Sequence, residues 1–244
     1  MGRFLCIAIA LVATALVPAG AEEAKNAADP DILYAKREHL PSALEAASIW
    51  ESRVKSDPKD FESTWKLARA CYWLSGHVAE KERRAQWDRG IEAGRKASKL
   101  QPQRPEGFFW MAANMGAMAE SSPWYVAARY AGSVKKSLET VLKLDRPYQQ
   151  GSADRGLGRW NFKMAERLGD EYWDASVKHL VQSLEYDKAN IASHYFLAET
   201  YKGMKKPDAA RKEAQLAVDL PVHPEWAPED GEFKQKARVL LESL

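Results

Sequence analysis

The 244-residue chain has almost no cysteine, since only Cys6 and Cys71 occur. Two cysteines allow at most one disulfide, and Cys6 lies in an N-terminal segment that we expect to be removed. A lone Cys71 cannot form an internal disulfide, so a disulfide-stapled fold is excluded. We therefore expect the fold to be held by an apolar core.

An excess of charge of one sign is also missing. The chain carries 36 Lys and Arg against 34 Asp and Glu, a net charge of +2. Proteins that bind nucleic acid or anionic membranes usually show a basic excess, so we expect no nucleic-acid partner. With 29% charged residues, the composition is typical of a soluble globular protein of one or two domains.

The sequence shows no signature of a metal or catalytic site. The histidines are scattered, and none pairs at helical spacing with a second metal ligand; they are His39, His77, His179, His194 and His223. No HExxH or GxSxG motif occurs. We therefore expect no metal, no cofactor and no enzymatic activity, and we interpret His194 and Cys71 as packed core residues.

Long apolar runs are limited to one, at the N-terminus. Arg3 precedes a run of about 14 residues, FLCIAIALVATALV, and Ala19-Gly20-Ala21 supplies small residues at −3 and −1. A bilayer-spanning helix needs ~20 residues, so the run predicts a signal peptide over 1–21, cut after Ala21. We expect residues 22–29, EEAKNAAD, to be disordered. The mature chain is then periplasmic or secreted and does not span a membrane.

The sequence does contain a repeat. Four segments end an apolar helical run with a polar turn, and aligning them on Pro58, Pro102, Arg146 and Lys188 gives intervals of 44, 44 and 42 residues. Helix pairs of this kind stack because each leaves one apolar face uncovered. The pattern predicts an all-α, right-handed solenoid of about ten helices over residues 30–244. We expect its charged C-terminal helix to cap the last repeat.

The spacing inside each unit resembles the tetratricopeptide repeat. In that family a bulky residue is followed at +3, +4 and +7 by Leu, a small residue and Tyr, and the second helix carries further small residues. The last unit matches at His194, Leu197, Ala198, Tyr201, Ala210, Ala214 and Ala217. The first-helix positions share one face, and a small residue there lets the partner helix pack closely.

Residues 155–164, RGLGRWNFKM, are the stretch most open to a functional interpretation. A phosphate-binding loop needs a preceding strand and a GxGxxG spacing, and neither is present. Gly156 falls on the small position of a first helix, so we interpret Gly156 and Gly158 as helix-packing residues. Arg155 and Arg159 lie one turn apart. They either reach a ligand carboxylate or make structural contacts with neighbouring units, and we favour the second.

Three units are longer than the ordinary repeat of about 34 residues. The extra sequence falls around 75–88, 119–132 and 161–174, and it either forms loops on one face or lengthens the helices. These segments and the adjoining helices are rich in aromatics, which either fill a larger core or line a groove for an apolar ligand. The candidate binding residues are Phe109, Trp110, Trp124, Tyr125, Arg155, Arg159 and Trp160.

RGLGRWNFKM, followed by SLEYD and HYFLAETYKGMKKPDAARKEAQLAVDLP, is similar to two related families. These are the bacterial TRAP-transporter-associated T-component proteins and the regulator of microtubule dynamics proteins, and the resemblance spans residues 40 to 242. It implies an all-helical, non-enzymatic repeat protein. The T-component resemblance also implies a periplasmic protein that handles apolar ligands with a partner binding protein. The chain lacks the lipid-attachment motif of some relatives, and a microtubule role does not fit a secretory signal.

Two functions follow as alternatives. The first is a periplasmic or secreted scaffold that binds a protein partner in the cell envelope. The second is a periplasmic carrier that holds an apolar or amphipathic small acid in an aromatic-lined groove, as an accessory component of a transporter. A continuous cavity lined by Trp110, Trp124, Tyr125 and Trp160 favours the carrier, whereas a closed core made of them favours the scaffold.

Overall fold

In the computed structural model, residues 29–244 form eleven α-helices and no β-strand. The helices are α1 (Pro30–Ala35), α2 (Leu40–Ser56), α3 (Phe61–His77), α4 (Glu80–Leu100), α5 (Pro105–Glu120), α6 (Trp124–Leu144), α7 (Tyr148–Leu168), α8 (Glu171–Leu184), α9 (Ile191–Gly203), α10 (Pro207–Asp219) and α11 (Ala227–Glu242). A short 3-10 helix at Pro224–Trp226 precedes α11. The predicted all-α class is confirmed, with one helix more than expected.

The structure describes the chain from residue 29 onward. The signal peptide predicted over 1–21 and the disorder predicted over 22–28 lie outside the described residues. Asp29 was included in the predicted disordered segment, but its carboxylate caps α1 by accepting the Asp31 amide at 2.9 Å.

The helices pair into hairpins that stack along the chain. The pairs are α1–α2, α3–α4, α5–α6, α7–α8 and α9–α10, and each hairpin packs against the next. Residues that the repeat pattern places at helix crossings are buried, and Ala68, Ala198, Ala210 and Ala214 expose no surface at all. The hairpin solenoid predicted from these positions is therefore confirmed.

The extra residues of the three long units lengthen helices rather than forming loops. α4 and α6 each have 21 residues, which gives about 31 Å at 1.5 Å per residue. α7 also spans 21 residues, but its backbone is non-helical at Gln149, Gln150 and Gly151. The turns that join α3 to α4 and α7 to α8 have only two residues each, 78–79 and 169–170.

Gly156 and Gly158 are packing residues, as predicted. A Cβ at Gly158 would lie 2.5 Å from Cγ of Leu180 on α8, and a Cβ at Gly156 would lie 3.0 Å from Cδ1 of Leu138 on α6. Both glycines therefore face neighbouring helices. The segment 155–164 is a surface where helices cross closely, and it is not a phosphate loop.

The C-terminal helix closes the stack. α11 packs on α9 and α10, as expected for a cap, and it also reaches the first two units. Arg37, in the turn between α1 and α2, donates from Nε to Oε1 of Glu229 at 2.9 Å and from Nη2 to the Glu225 carbonyl at 2.7 Å. Nε2 of His77, at the end of α3, lies 2.8 Å from Oε1 of Glu232. These contacts join the two ends of the solenoid.

Candidate ligand cavity

The inner side of the stack surrounds a cavity of about 560 Å³. Small-molecule sites usually measure about 300–1,000 Å³, so the cavity has the size of a ligand site. Most of its wall comes from α3, α5, α7 and α9, the first helices of four hairpins. α11 supplies the remaining side and lies across the others.

Aromatic rings form much of this wall. They are Tyr34, Tyr72, Trp73, Trp87, Phe109, Trp110, Trp160, Tyr195, Phe196, Trp226 and Phe233. Neighbouring rings hold one another in place: the centroid of Trp110 lies 5.8 Å from that of Tyr72 and 4.9 Å from that of Phe109. Ala113 and Gly116 lie on the same wall, and their small side chains leave the space between the rings open.

Five of the seven residues predicted from the sequence to bind a ligand lie on the cavity wall. They are Phe109, Trp110, Arg155, Arg159 and Trp160. Trp160 is held by a hydrogen bond from its Nε1 to the Ala131 carbonyl, at 2.9 Å. The helix that carries the RGLGRW segment therefore contributes both cations and an aromatic ring to one side of the cavity.

Trp124 and Tyr125 are not part of the cavity. They lie in the first turn of α6, where 71% of Trp124 and 56% of Tyr125 is exposed. Burial on α6 begins with Ala127, one turn from the helix start, which is 7% exposed. The aromatics nominated together therefore fall into two groups, one in the cavity and one on the outer surface.

Arg159 is engaged by protein groups on both sides. It makes two hydrogen bonds to the Glu120 carboxylate, at 3.0 and 2.8 Å, and one to Glu199, at 2.7 Å. Its guanidinium lies about 5 Å from the rings of Phe162 and Phe196. Burial alone would lower the pKa of Arg159, but the hydrogen bonds to Glu120 raise it above its ordinary value. Arg159 thus ties α5, α7 and α9 together, as the structural alternative predicts.

Arg155, one turn earlier, has no such partner. Among residues 29–244 it forms no ion pair, and its one hydrogen bond is a long contact of 3.5 Å from Nη1 to the Gln150 carbonyl. Burial lowers its pKa to about 10, so the side chain is still charged at neutral pH. The two adjacent arginines of one motif therefore have different roles.

The backbone beside Arg155 is strained. Gln149 and Gln150 have φ angles of 45° and 55°, in the left-handed region, and such residues cost of the order of 1–3 kcal/mol each. Both side chains line the cavity. Strain of this kind persists only where the surrounding structure imposes it, and it is frequent beside binding sites.

Every acidic side chain of the cavity wall already has a partner that donates a hydrogen bond to it. Glu120 binds Arg159, Glu229 binds Arg37 and Glu232 contacts His77. The fourth, Asp230, accepts the His223 amide at 2.8 Å. Since every wall carboxylate already has a donor, none neutralises Arg155 by direct contact.

The part of the wall that comes from α9 and α11 was not predicted from the sequence. Tyr195, Phe196 and Phe233 pack together there, with ring centroids 5.3–5.6 Å apart. The only available indication was that α11 carries Phe233 on a helix expected to be a polar cap. Nothing in the repeat pattern shows that this helix faces the concave side.

Arg159 could have been assigned from the sequence. Glu120 and Glu199 lie 39 and 40 residues from Arg159, which is close to the repeat interval. Charged residues of opposite sign separated by one interval lie at equivalent positions on successive hairpins. That spacing indicates a structural ion pair rather than a ligand contact.

A second polar cluster lies away from the cavity. The Asp154 carboxylate accepts hydrogen bonds from Nε of Arg146 at 3.0 Å and from Nδ1 of His179 at 2.8 Å. Burial alone would raise the pKa of Asp154, but these two donors hold it below its ordinary value. Asp154 exposes no surface, so this pair of contacts joins α7 to α8 and to the turn before α7.

Cys71 is a core residue, as predicted. It exposes no surface, and burial raises the pKa of its thiol to about 12, so the nucleophilic thiolate is not formed at neutral pH. Within the described part of the chain, no group of three or more His, Cys, Asp or Glu side chains is placed to hold a metal ion. The helices of residues 29–244 also include none that is both long enough and apolar enough to cross a bilayer.

Comparison with known proteins supports the repeat architecture. The family model described as "Regulator of microtubule dynamics protein 1-3" matches residues 28–168. No curated protein matches the chain.

Two solved structures are similar in fold. A thermophilic TPR protein of Thermus thermophilus, TTC0263, aligns with a TM-score of 0.66 at 18% identity, over 87% of this chain and 97% of that one. The MamA protein aligns with a TM-score of 0.51 at 18% identity, over 84% of this chain and 91% of that one. At such identities the likeness establishes the fold, a stack of tetratricopeptide-like hairpins.

Proposed function

Because the chain belongs to the family of regulator of microtubule dynamics proteins 1–3, we propose that it is a non-enzymatic binding protein built on a helical-repeat scaffold. Its ligand is an apolar or amphipathic small molecule held in the cavity. One observation carries this proposal: the concave side of the solenoid is lined by aromatic rings and covered by α11.

The position of α11 affects which ligands can bind, because repeat proteins use their extended concave surfaces for binding. Here Arg37 and His77 hold α11 against the first two units. α11 occupies part of the surface that a peptide or protein partner would otherwise contact, whereas a small molecule fits beneath it. The geometry therefore favours the carrier over the scaffold for the inner surface.

The compartment of the protein is part of the proposal. The apolar N-terminal run and the Ala19-Gly20-Ala21 site support export to the periplasm or the extracellular space. An accessory role for a TRAP-type transporter, with a partner binding protein in the cell envelope, is consistent with a carrier of apolar acids. Fractionation of cells that express the full chain tests the compartment, since recovery of uncleaved protein in the cytoplasm would contradict it.

Native mass spectrometry tests the carrier function directly. Protein purified without detergent should show an added mass of lipid-like size, and that mass should disappear after delipidation. Ala113→Trp, which fills the cavity, should remove the added mass. Gly132→Ala on α6 should keep it and serves as the control, because no atom lies within 4 Å of its added Cβ. A wild-type protein that carries no adduct, and that binds none from a lipid extract, would contradict the proposal.

A second function is favoured by a separate observation. Trp124, Tyr125 and Leu168 are exposed by 71%, 56% and 65%, and they lie at the start of α6 and the end of α7, the same end of two antiparallel helices. Exposed apolar groups of this size often mark protein interfaces. We propose that this end binds an envelope partner.

Cross-linking in cells tests the second function. A Trp124→Ser/Tyr125→Ser double variant should lose a defined cross-linked partner, whereas Ala113→Trp should keep it. If the cross-linking pattern of the double variant equals that of the wild type, this end of the molecule is not an interface.

A further inference from the structure

The geometry points to an amphiphilic monocarboxylate as the ligand of the cavity, with its carboxylate bound by Arg155 and its apolar chain along the aromatic wall beneath α11. This inference rests on the proposed carrier function and adds the charge of the ligand and the residue that recognises it.

Among the residues that the structure describes, the ion pairs around the cavity leave three basic side chains of its wall without an ion-pair partner. The carboxylates of Glu120, Glu229 and Glu232 are paired with basic side chains, and Asp230 is bound by a backbone amide. Of the basic side chains on the wall, Arg159 and His77 are the partners in two of these pairs. Arg83, Arg155 and Lys236 line the same space and form no ion pair among residues 29–244. An anion is therefore favoured over a cation.

Arg155 is the one of these three that lies on a first helix of a hairpin, in the concave wall. Lys236 is exposed, and Arg83 lies on the first turn of α4, where it also borders a second, smaller cavity. Arg155 is half-buried on α7, between Ser152 and Arg159 on the wall. Burial lowers the pKa of Arg155 to about 10.

Arg155 and its neighbour Tyr72 both line the cavity, among the aromatic rings of the wall. Burial lowers the pKa of Arg155, as expected for a cation that is poorly solvated. A guanidinium in such a place has lost much of its hydration without gaining a counter-ion, and that costs free energy. A ligand carboxylate offsets this cost.

A carboxylate fits better than a phosphate. A guanidinium and a carboxylate form two parallel hydrogen bonds, which satisfies both charges with one arginine. A phosphate monoester carries about two negative charges and usually takes several donors. Here Arg155 stands among aromatic rings, so a ligand with a single charge and an apolar chain matches the wall.

The experiment compares ligands that differ only in the head group. Delipidated full-length protein is titrated calorimetrically with decanoate, 1-decanol and decyltrimethylammonium. We expect decanoate to bind at least tenfold more tightly than decanol, and decyltrimethylammonium to bind more weakly than either. Arg155→Met should remove the preference of decanoate over decanol while decanol still binds, and Arg155→Lys should keep part of it. Arg129→Met, the same change at an exposed residue of α6, should behave as the wild type.

The outcomes separate the two proposals. If the wild type binds decanoate and decanol equally, the head-group assignment is overturned while the carrier function stands. If decanoate is preferred but Arg155→Met and Arg155→Lys both keep the full preference, the assignment to Arg155 is overturned. If no amphiphile binds, both proposals fall. Should Arg155→Met fail to fold, the head-group comparison on the wild type and Arg155→Lys still decide.

Discussion

Gly94 lies where α4 crosses α5, and a Cβ built on it would lie 2.7 Å from the backbone nitrogen of Met111. Backbone atoms cannot move aside as a side-chain tip does, so Gly94→Ala forces the two hairpins apart. Overpacking of this kind costs about 1–3 kcal/mol. An alanine in a helix gains back about 1 kcal/mol over glycine.

We therefore expect Gly94→Ala to lower the free energy of unfolding, as measured by urea denaturation. Gly132→Ala on α6 is the matched control, because nothing lies within 4 Å of its added Cβ. It should raise the free energy of unfolding by about 1 kcal/mol. Equal effects of the two substitutions would contradict the close crossing at Gly94.

His194 is a core residue that also carries a charge. It is 7% exposed, and its Nδ1 and Nε2 lie 2.7 Å from Glu213 Oε2 and 3.0 Å from the Lys188 carbonyl. Both partners are acceptors, so both ring nitrogens must carry a proton. Burial alone would lower the pKa of His194, but the bond to Glu213 raises it.

Since the folded-state pKa of His194 is raised, its contribution to stability is fully present below its ordinary pKa of 6.5 and is lost as the pH rises through the folded-state value. His194→Gln should therefore lower the free energy of unfolding at pH 6 by about 1.5–3 kcal/mol, the range for charged hydrogen bonds, and by less at pH 9. His39→Gln, the same change at an exposed histidine, is the matched control. The same loss at both pH values would mean that His194 is neutral in the folded protein.

At the scale of elements, α11 has two functions. It buries the outer face of the last hairpin by packing on α9 and α10, and it bridges to the first unit through Arg37. The first function needs only a helix with one apolar stripe. The second needs a specific buried contact, because Arg37 is 5% exposed and Trp73 donates to its carbonyl at 3.1 Å.

Glu229→Gln tests this bridge. The change keeps the shape of the side chain but leaves the Arg37 guanidinium without its counter-ion, which costs about 1–3 kcal/mol locally. Amide hydrogen exchange over residues 227–242 should accelerate, while exchange in α5 and α6 stays unchanged. Glu242→Gln, an exposed position on the same helix, should leave exchange as in the wild type. Unchanged exchange in Glu229→Gln would show that packing on α9 and α10 alone holds α11.

The contact between His77 and Glu232 makes the closure depend on pH. His77 Nδ1 donates to the Trp73 carbonyl at 2.7 Å, so only the doubly protonated ring can also donate from Nε2 to Glu232. Hydrogen bonding to Glu232 raises the pKa of His77, and the same bond lowers the pKa of Glu232. Glu229 and Lys236 are the other charged groups that act on this pair.

The directions of the two pKa shifts define the pH range in which the contact between His77 and Glu232 is stable. The contribution of His77 is lost as the pH rises through its folded-state pKa, above 6.5, and that of Glu232 is lost as the pH falls through its folded-state pKa, below 4.5. Exchange in α11 should therefore be slowest at mildly acidic pH, after correction for the intrinsic rate, and faster at about pH 8–9. His77→Gln should remove that difference. A wild-type profile that does not change with pH would contradict the contact.

At the scale of the whole molecule, the solenoid is bent until its ends meet. The Arg37–Glu229 contact joins residues 192 positions apart in the chain. Hairpin stacks ordinarily contact only their neighbours, so this closure turns an open concave surface into a cavity. It follows that the binding surface and the fold depend on the same helix.

The sequence predicts the local part of this structure well. Ala68, Ala198 and Ala210 could be placed at crossings because a small residue at a fixed spacing has one packing role. Gly158 could be recognised as a packing residue rather than part of a phosphate-binding loop, because no strand is predicted before it. These inferences depend only on spacing within one hairpin or between adjacent ones.

The closure could not be predicted in the same way. Whether Arg37 contacts Glu229 depends on the small rotation between successive hairpins, accumulated over the whole stack. That accumulated rotation cannot be derived from the spacing of residues in the sequence. Trp124 was grouped with Trp110 because the extra residues fit loops and longer helices equally well. Arg155 and Arg159 share one spacing, and only the positions of their partners in space distinguish them.

The most direct test of a closed, ligand-holding solenoid is a crystal structure of the full-length protein grown with decanoate that carries bromine at the end of its chain. We expect anomalous bromine density between the aromatic rings of α5, α9 and α11. The carboxylate should lie within hydrogen-bonding distance of Arg155, and Arg37 should be bound to Glu229. Bromine found only outside the stack, or an α11 that packs away from the first hairpin, would contradict these expectations.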